Sequence, residues 1–124
     1  MLKLAHDGRA YIPVRIGVGA ITSPGHQGRE PFLGYLDTLE QQGWDSIWFS
    51  DRIVGPVPRL DPIAAMAMVA AYPKKLKFGS GVLLMSMRRP VSTAHALATI
   101  DLISGGPLVV VVGIGPDTYR GSDC

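Results

Sequence analysis

The amino-acid sequence predicts an α/β protein built on a parallel sheet. Segments typical of strands alternate with segments typical of helices, at roughly 30 residues per strand–helix unit, as in barrels and doubly wound sheets. Two predicted strands, residues 45–50 and 108–113, are mostly apolar on both faces and do not alternate between apolar and polar residues. Such strands are expected where crossover helices bury both faces of a parallel sheet.

The first strand–helix unit covers residues 15–43. Residues 15–21 form the first predicted strand and residues 25–29 a polar loop. Pro31 is placed near the start of the first helix, because its fixed φ suits a first helical position. Gly43 is placed to end that helix as a left-handed residue. The apolar stripe of the helix consists of Phe32, Leu36 and Leu39.

The dipeptide Asp61-Pro62 predicts the start of the second helix. An aspartate carboxylate accepts hydrogen bonds from the first backbone N–H groups of a helix, and proline fits the position that follows. This Ala- and Met-rich helix should stop before Pro73. The remaining elements are a second strand at 45–50, a third at 77–84, a third helix opened by Pro90 and closed by Ser104-Gly105-Gly106, and a fourth strand at 108–113.

Length and composition limit the possible functions. The 124 residues amount to one domain or part of one, and 47% of them are hydrophobic. A net charge of +2 with scattered Lys and Arg argues against nucleic acid as a partner. The single cysteine, Cys124, can form no internal disulfide. The N-terminal residues lack the apolar core of a signal peptide, and the longest apolar stretch, 62–73, is too short to span a bilayer. We expect a cytoplasmic protein that acts on a small molecule, without a membrane partner.

The candidate site lies where the predicted strands end, because parallel α/β proteins bind ligands at the carboxyl ends of their strands. Four segments qualify: 20–22, 50–52, 81–84 and 113–115. Asp51 follows a largely apolar strand, so its carboxylate should be partly desolvated and suited to proton or hydride chemistry. A salt bridge or an Asp turn explains the same residue equally well.

Glycines and histidines give weaker indications. Gly17 and Gly19 supply two glycines of a dinucleotide-binding pattern but not the third, and they fall inside the predicted strand. The three histidines have no metal-binding spacing, so no metal is expected. His26 lies in the loop after the first strand and would face the site. His95 falls inside the third helix, where an exposed side chain is the simpler interpretation.

Three stretches together resemble the bacterial luciferase-like superfamily, a set of (βα)8-barrel enzymes that use FMN or the deazaflavin coenzyme F-420. They are LEQQGWDSIWFSDR at 39–52, LDPIAAMAMVAAYPKKLKFGSGVLLMSMRRPV at 60–91 and ALATIDLISGGPLVVVVGIG at 96–115. The resemblance covers about residues 14–115 and looks closest to the actinobacterial deazaflavin-dependent branch. It implies one partial barrel domain over residues 1–124, the N-terminal half of a TIM (βα)8 barrel, with an irregular tail at 116–124.

The resemblance also implies roles. Asp51 matches the acidic residue near the polar edge of the bound flavin ring, and Gly81-Val82 matches a non-prolyl cis peptide that bulges against the ring. The expected cofactor-binding set is Asp51, Gly81, Val82, Leu83, Gly113 and Gly115, and the expected catalytic set is Asp51, Arg52 and His26. The implied reaction is hydride transfer between coenzyme F-420 and an organic substrate. The alternative is an FMN-dependent monooxygenase.

Several positions depart from the family pattern. Relatives often carry a histidine base at the position of Arg52, and an arginine stays protonated and cannot replace it. Arg52 could instead bind an anionic substrate or the carbonyl edge of the ring. Pro116 stands where some relatives have an acid, and Pro107 follows the SGG sequence where arginine is usual.

The predicted elements make half of an eight-stranded barrel, and in this superfamily the second half largely holds the cofactor phosphate. We expect a truncated enzyme. Two alternatives are a homo-oligomer that completes a barrel through its open strand edges, and a different fold in isolation. In the second hypothesis for function, the half barrel is a non-catalytic remnant or assembly module, because unpaired apolar edges are templates for association.

Overall fold

The computed structural model describes residues 3–12, 14–20, 27–52, 58–72, 76–106 and 108–115. Its strands are β1 (Lys3–Leu4), β2 (Ala10–Tyr11), β3 (Gly17–Gly19), β4 (Ser46–Phe49), β5 (Lys77–Leu84) and β6 (Leu108–Gly113). Its α-helices are α1 (Arg29–Gln41), α2 (Pro62–Ala70) and α3 (Pro90–Ser104), and one 3-10 turn covers Met85–Met87. The predicted tail at 116–124 lies outside the described residues.

Strands β3 to β6 form one parallel sheet in chain order, β3-β4-β5-β6. Ile47 of β4 pairs with Val18 on one side and with Phe78 on the other, and Phe78 pairs in turn with Leu108. A sheet in which each new strand is added beside the last is the arrangement of a barrel, whereas a doubly wound sheet reverses its order. The prediction of parallel strand–helix units is therefore confirmed, and the order favours the barrel.

The helix ends follow local signals in the sequence. Asp61 caps α2, since its Oδ1 accepts hydrogen bonds from the backbone N–H groups of Ile63 at 2.8 Å and Ala64 at 3.1 Å. Gly43, after α1, has φ +76°, a left-handed conformation that glycine adopts without a steric penalty. Helix α1 begins at Arg29, two residues before the predicted start at Pro31. Proline is tolerated there because the first turn of a helix makes no use of its backbone N–H groups.

One hydrophobic core lies between the sheet and the helices. Phe32 and Leu36 of α1 are buried against Ile47 and Phe49 of β4 and Phe78 of β5. The rings of Phe32 and Phe49 are 6.2 Å apart and tilted by 47°, within the range of favourable aromatic pairs. Side chains alternate along β4, so Ile47 and Phe49 face this core while Ser46 and Trp48 face the opposite, inner side of the sheet.

The inner face of the sheet is dominated by Trp48. A Cβ added to Gly79 would lie 3.0 Å from Cζ3 of its indole, and one added to Gly81 would lie 3.7 Å from Cε3. A Cβ on Gly17 of β3 would come within 2.5 Å of the indole nitrogen. The glycines of the two neighbouring strands thus leave the room that the indole occupies. In a closed barrel, alternate strands fill the interior with layers of side chains in this manner.

The prediction that the fourth strand is buried on both faces is wrong. Val109 to Val112 of β6 are 36–58% exposed. Within the described residues β6 pairs with β5 alone, and side chains on both of its faces stay partly exposed. An apolar sequence shows that a strand can be buried, but burial also requires a neighbouring element that packs against it.

A short antiparallel hairpin, β1 with β2, precedes the sheet and was not predicted. The available signal is Asp7-Gly8, a pair typical of tight turns, and Gly8 has φ +78°. Among the helices that the structure describes, none combines the length and the apolarity needed to cross a membrane.

Candidate functional site

The carboxyl ends of β4, β5 and β6 meet at one edge of the sheet, because the three strands are parallel and adjacent. Asp51 follows β4, Val82 lies within β5 and Gly113 ends β6. Hydrogen bonds and close contacts join all three. The structure therefore brings together residues that lie far apart in the sequence.

Val82 forms a bulge in β5. Gly81 pairs with Val111 and Leu83 with Val112, so Val82 is an extra residue without a partner on β6. The Gly81–Val82 peptide bond is cis, as the resemblance implied. Ser80 supports the strand just before the bulge, since its hydroxyl donates to the carbonyl oxygen of Val111 at 3.0 Å and accepts from the N–H of Val111 at 3.1 Å.

The side chain of Val82 turns toward the end of β6. A Cβ added to Gly113 would lie 2.7 Å from Cγ2 of Val82, so only glycine leaves space for the bulge there. Val82 is still 36% exposed. The bulge consequently presents a branched apolar surface at the edge of the sheet, with no side chain beside it on Gly81 or Gly113.

The Asp51 carboxylate is almost fully buried, with 2% of the side chain exposed. Its Oδ2 accepts hydrogen bonds from the backbone N–H of Leu84 at 3.0 Å and from Nε of Arg88 at 2.9 Å. Its own backbone N–H donates to the carbonyl oxygen of Val82 at 3.1 Å. Asp51 thus holds the bulge from both ends, at Val82 and at Leu84.

Arg88 joins Asp51 to the start of α2. Its Nη2 donates to Oδ2 of Asp61 at 2.7 Å, while the other oxygen of Asp61 caps the helix. The hydrogen bond to Asp51 is the main cause that raises the pKa of Arg88 above its ordinary value. Partial burial opposes ionisation of Asp61, but the hydrogen bond and charge of Arg88 together with the capped N–H groups outweigh it and lower the pKa of that carboxyl.

A cavity of about 170 Å³ opens beside this ion pair. Arg59 lies on its wall and donates from Nη1 to the hydroxyl of Ser50 at 3.4 Å. Pockets for drug-sized ligands have volumes of about 300–1,000 Å³, so this one accommodates only a small group. Its lining consists of Asp51, Arg52, Arg59, Leu60, Asp61 and Pro62.

The other predicted site residues have different placements. Arg52 is exposed and lines the cavity. Leu83 is fully buried, so its side chain is not available to a cofactor. Gly115 has φ +81° and follows Ile114, whose carbonyl oxygen accepts from the hydroxyl of Ser86 at 2.9 Å. His26 lies outside the described residues, and its role stays a prediction.

Sequence reasoning missed Arg88, which the geometry makes central. Its signals in the sequence were the pair Arg88-Arg89 and the Arg-x-Pro pattern that ends at Pro90, where α3 begins. In the described ranges, no group of three or more His, Cys, Asp or Glu side chains could hold a metal ion.

A comparison of the sequence with known protein families identifies the family of this chain. Residues 11–120 match the luciferase-like monooxygenase family. The chain belongs to this family. The match includes all four strands of the parallel sheet and the three helices, so the recognition from the quoted stretches and the fold class of a partial barrel are confirmed.

Similar proteins indicate the range of chemistry within the family. The chain is 32% identical over 105 residues to an F-420-dependent glucose-6-phosphate dehydrogenase of Amycolatopsis mediterranei. The aligned region covers 79% of this chain and 31% of that protein. The chain thus spans less than a third of that relative's length.

Two solved structures share the fold. The oxygenating constituent of 3,6-diketocamphane monooxygenase from Pseudomonas putida, in complex with FMN, has a TM-score of 0.69 at 20% identity, over 88% of this chain and 33% of that one. The coenzyme F-420-dependent tetrahydromethanopterin reductase of Methanopyrus kandleri has a TM-score of 0.62 at 23% identity, over 83% of this chain and 27% of that one. Enzymes of both cofactor classes therefore contain this arrangement of strands and helices.

Proposed function

We propose that this chain forms the N-terminal part of a luciferase-like oxidoreductase site that transfers hydride between coenzyme F-420 and an organic substrate. The observation that carries the proposal is the strand edge at which the Val82 bulge meets Asp51 and Gly113. Membership of the family and the F-420-dependent relative support the class of reaction.

The bulge suits one face of a planar ring. Val82 offers an exposed apolar side chain, and the absence of side chains on Gly81 and Gly113 lets a flat molecule approach the backbone closely. When bound, the deazaflavin supplies the carbon that accepts or donates the hydride, and the protein contributes binding, orientation and electrostatics.

Arg52 fits a binding role better than a proton-transfer role. A guanidinium stays protonated at working pH and cannot act as a general base. Arg52 lies on the wall of the small cavity, so its charge favours an anionic group of the substrate there. This assignment differs from that of relatives with a histidine at this position.

FMN is the alternative cofactor, and an FMN-dependent monooxygenase is the alternative activity. This alternative is supported by the similar fold of a monooxygenase component whose structure was solved with FMN. Both cofactors are fluorescent, so titrating each one with the full chain separates them. We expect saturable binding of F-420 and weaker binding of FMN, whereas no response to either would refute the proposal.

Replacing Gly113 with Ala tests whether the bulge forms the binding surface. The added Cβ would push against Cγ2 of Val82 and displace the bulge. We expect cofactor binding to weaken by about tenfold, because restoring the wild-type bulge on binding would cost roughly 1–3 kcal/mol of over-packing strain. Gly34→Ala is the matched control. Gly34 lies within α1 with no atom near its absent Cβ, so this change should leave binding unaltered.

A second candidate is a non-catalytic assembly module, and the exposure of β6 favours it. Val109, Val110, Val111 and Val112 are all partly exposed on a strand with one partner in the described residues. A second copy of the chain that paired along this edge would cover them. This candidate predicts a dimer or larger species by light scattering, converted to monomer by Val110→Lys. Val91→Lys, on an 85% exposed residue of α3, is the control, and a folded wild-type monomer would contradict the candidate.

A further inference from the structure

Arg88 is the one side chain in the described site that contacts both Asp51 and Asp61, which belong to different strand–helix units. We infer that Arg88 is a positioning residue: through Asp51 it fixes the Val82 bulge, and through Asp61 it fixes the wall of the small cavity. Asp51 then shapes the surface that faces the ring. The part that concerns ligand binding rests on the proposed function.

The hydrogen bonds of Asp51 link it to the Val82 bulge. Its backbone N–H binds the carbonyl oxygen of Val82, and its Oδ2 binds the N–H of Leu84. These two contacts enclose the residue at which β5 resumes its pairing with β6. Because Val82 itself has no ladder partner on β6, the position of the bulge depends on Asp51.

The guanidinium of Arg88 links Asp51 to Asp61. Nε binds Asp51 and Nη2 binds Asp61, so two nitrogens of one rigid, planar group set the distance between the two carboxylates. The side chain of Arg88 is 15% exposed and that of Asp51 is 2% exposed. A buried carboxylate that accepts two hydrogen bonds on one oxygen is held in a single position, which suits a structural role.

The two carboxylate oxygens of Asp61 have separate tasks. Oδ1 caps α2, and Oδ2 accepts from Arg88. The start of α2 is therefore tied to the bulge through a single guanidinium. Asp51 and Asp61 also line the 170 Å³ cavity, so Arg88 determines how far apart these parts of its wall lie.

The experiment compares the wild-type chain with Arg88→Gln, Arg88→Lys and Asp61→Asn. The first readout is amide hydrogen exchange at Leu84, which donates to Asp51, relative to Phe78 in the same strand. We expect Arg88→Gln to raise the ratio of the two exchange rates about tenfold or more, the effect of losing a hydrogen bond between charged groups. Arg88→Lys keeps the positive charge but loses the planar group that donates to both carboxylates, so its exchange ratio should lie between those of the wild type and Arg88→Gln. Asp61→Asn keeps the cap oxygen and should give the smallest change.

The second readout is the affinity for F-420 and FMN in a double-mutant cycle with Asp51→Asn. If Arg88 acts through Asp51, Arg88→Gln weakens binding in the wild-type background and adds little in the Asp51→Asn background. Additive losses would overturn the inference, as would an unchanged ratio of Leu84 to Phe78 exchange. If the wild-type chain binds neither cofactor, the proposed function fails, and the exchange ratio alone still decides whether Arg88 holds the bulge.

Discussion

At the amino ends of the strands, Asp45 accepts from the backbone N–H of Ile16 at 2.9 Å, and Glu40 accepts from that of Leu76 at 3.0 Å. At the carboxyl ends, Asp51 accepts from a backbone N–H and also from a guanidinium. Carboxylates join neighbouring segments at both ends, but among the described residues the carboxyl end alone adds a bulge and a largely buried arginine that binds two carboxylates at once.

Of two cavities lined by described residues, the larger lies at the amino end of the sheet and the smaller at the candidate site. The amino end has a cavity of about 360 Å³, against about 170 Å³ beside Asp51. In barrels the amino end serves stability and the carboxyl end carries the chemistry. The candidate site is therefore assigned from its charges and its backbone bulge, and not from the volume of the space beside it.

Asp51→Ala should have the largest effect. Removing one partner of a buried ion pair leaves Arg88 without its main acceptor, which costs about 3–5 kcal/mol of the free energy of unfolding. Urea denaturation followed by circular dichroism measures the loss. A loss no larger than that of Asp45→Ala would show that the two ends of the sheet do not differ in this respect.

Asp61→Ala should have an intermediate effect. It removes the cap of α2, for which about 1 kcal/mol is typical, and also a partly exposed partner of Arg88. Asp61→Asn keeps an oxygen for the cap, so the difference between the two variants in the same denaturation experiment isolates the capping contribution. Equal losses would mean that capping contributes nothing here.

Asp45→Ala should cost less, about 1 kcal/mol, because it removes one hydrogen bond from an exposed backbone N–H. The midpoint of thermal unfolding should fall only slightly, and binding of either cofactor should stay unchanged. A change in cofactor affinity would contradict the separation between a structural end and a functional end.

The pH dependence should be the smallest effect. The folded pKa of Asp61 lies below its ordinary value of 3.8, so its contribution to stability is complete above that value and disappears as pH falls through the folded pKa. Unfolding free energies between pH 6 and pH 3, as an approximate working range, should decline less steeply for Asp61→Asn than for wild type. Parallel curves would refute this assignment.

Local signals in the sequence predicted much of the fold. Asp61-Pro62 predicted the start of α2, and β5 has the predicted bounds, Lys77–Leu84. These features depend on short-range chemistry that neighbouring residues supply. The cis bond at Gly81–Val82 came from the family resemblance, because no rule of local propensity singles out that position.

Arg88 and the exposure of β6 could not be predicted, for two physical reasons. The contact of Arg88 with Asp51 joins residues 37 positions apart, and it exists only because β4 and β5 are adjacent in the sheet. The burial of a strand depends on what lies beside it, which the composition of the strand does not state. The sequence left a salt bridge as one of two interpretations of Asp51, and the structure shows one, but the sequence did not identify Arg88 as the partner.

The indole of Trp48 makes the inner face of the sheet observable by spectroscopy. The sequence has two tryptophans, and the other, Trp44, is at the amino end, where its Nε1 donates to Gln42. A Trp44→Phe variant would leave Trp48 as the sole indole emitter. Its emission wavelength and quenching by iodide would then report directly on whatever molecule or polypeptide comes to cover the glycine-lined inner surface.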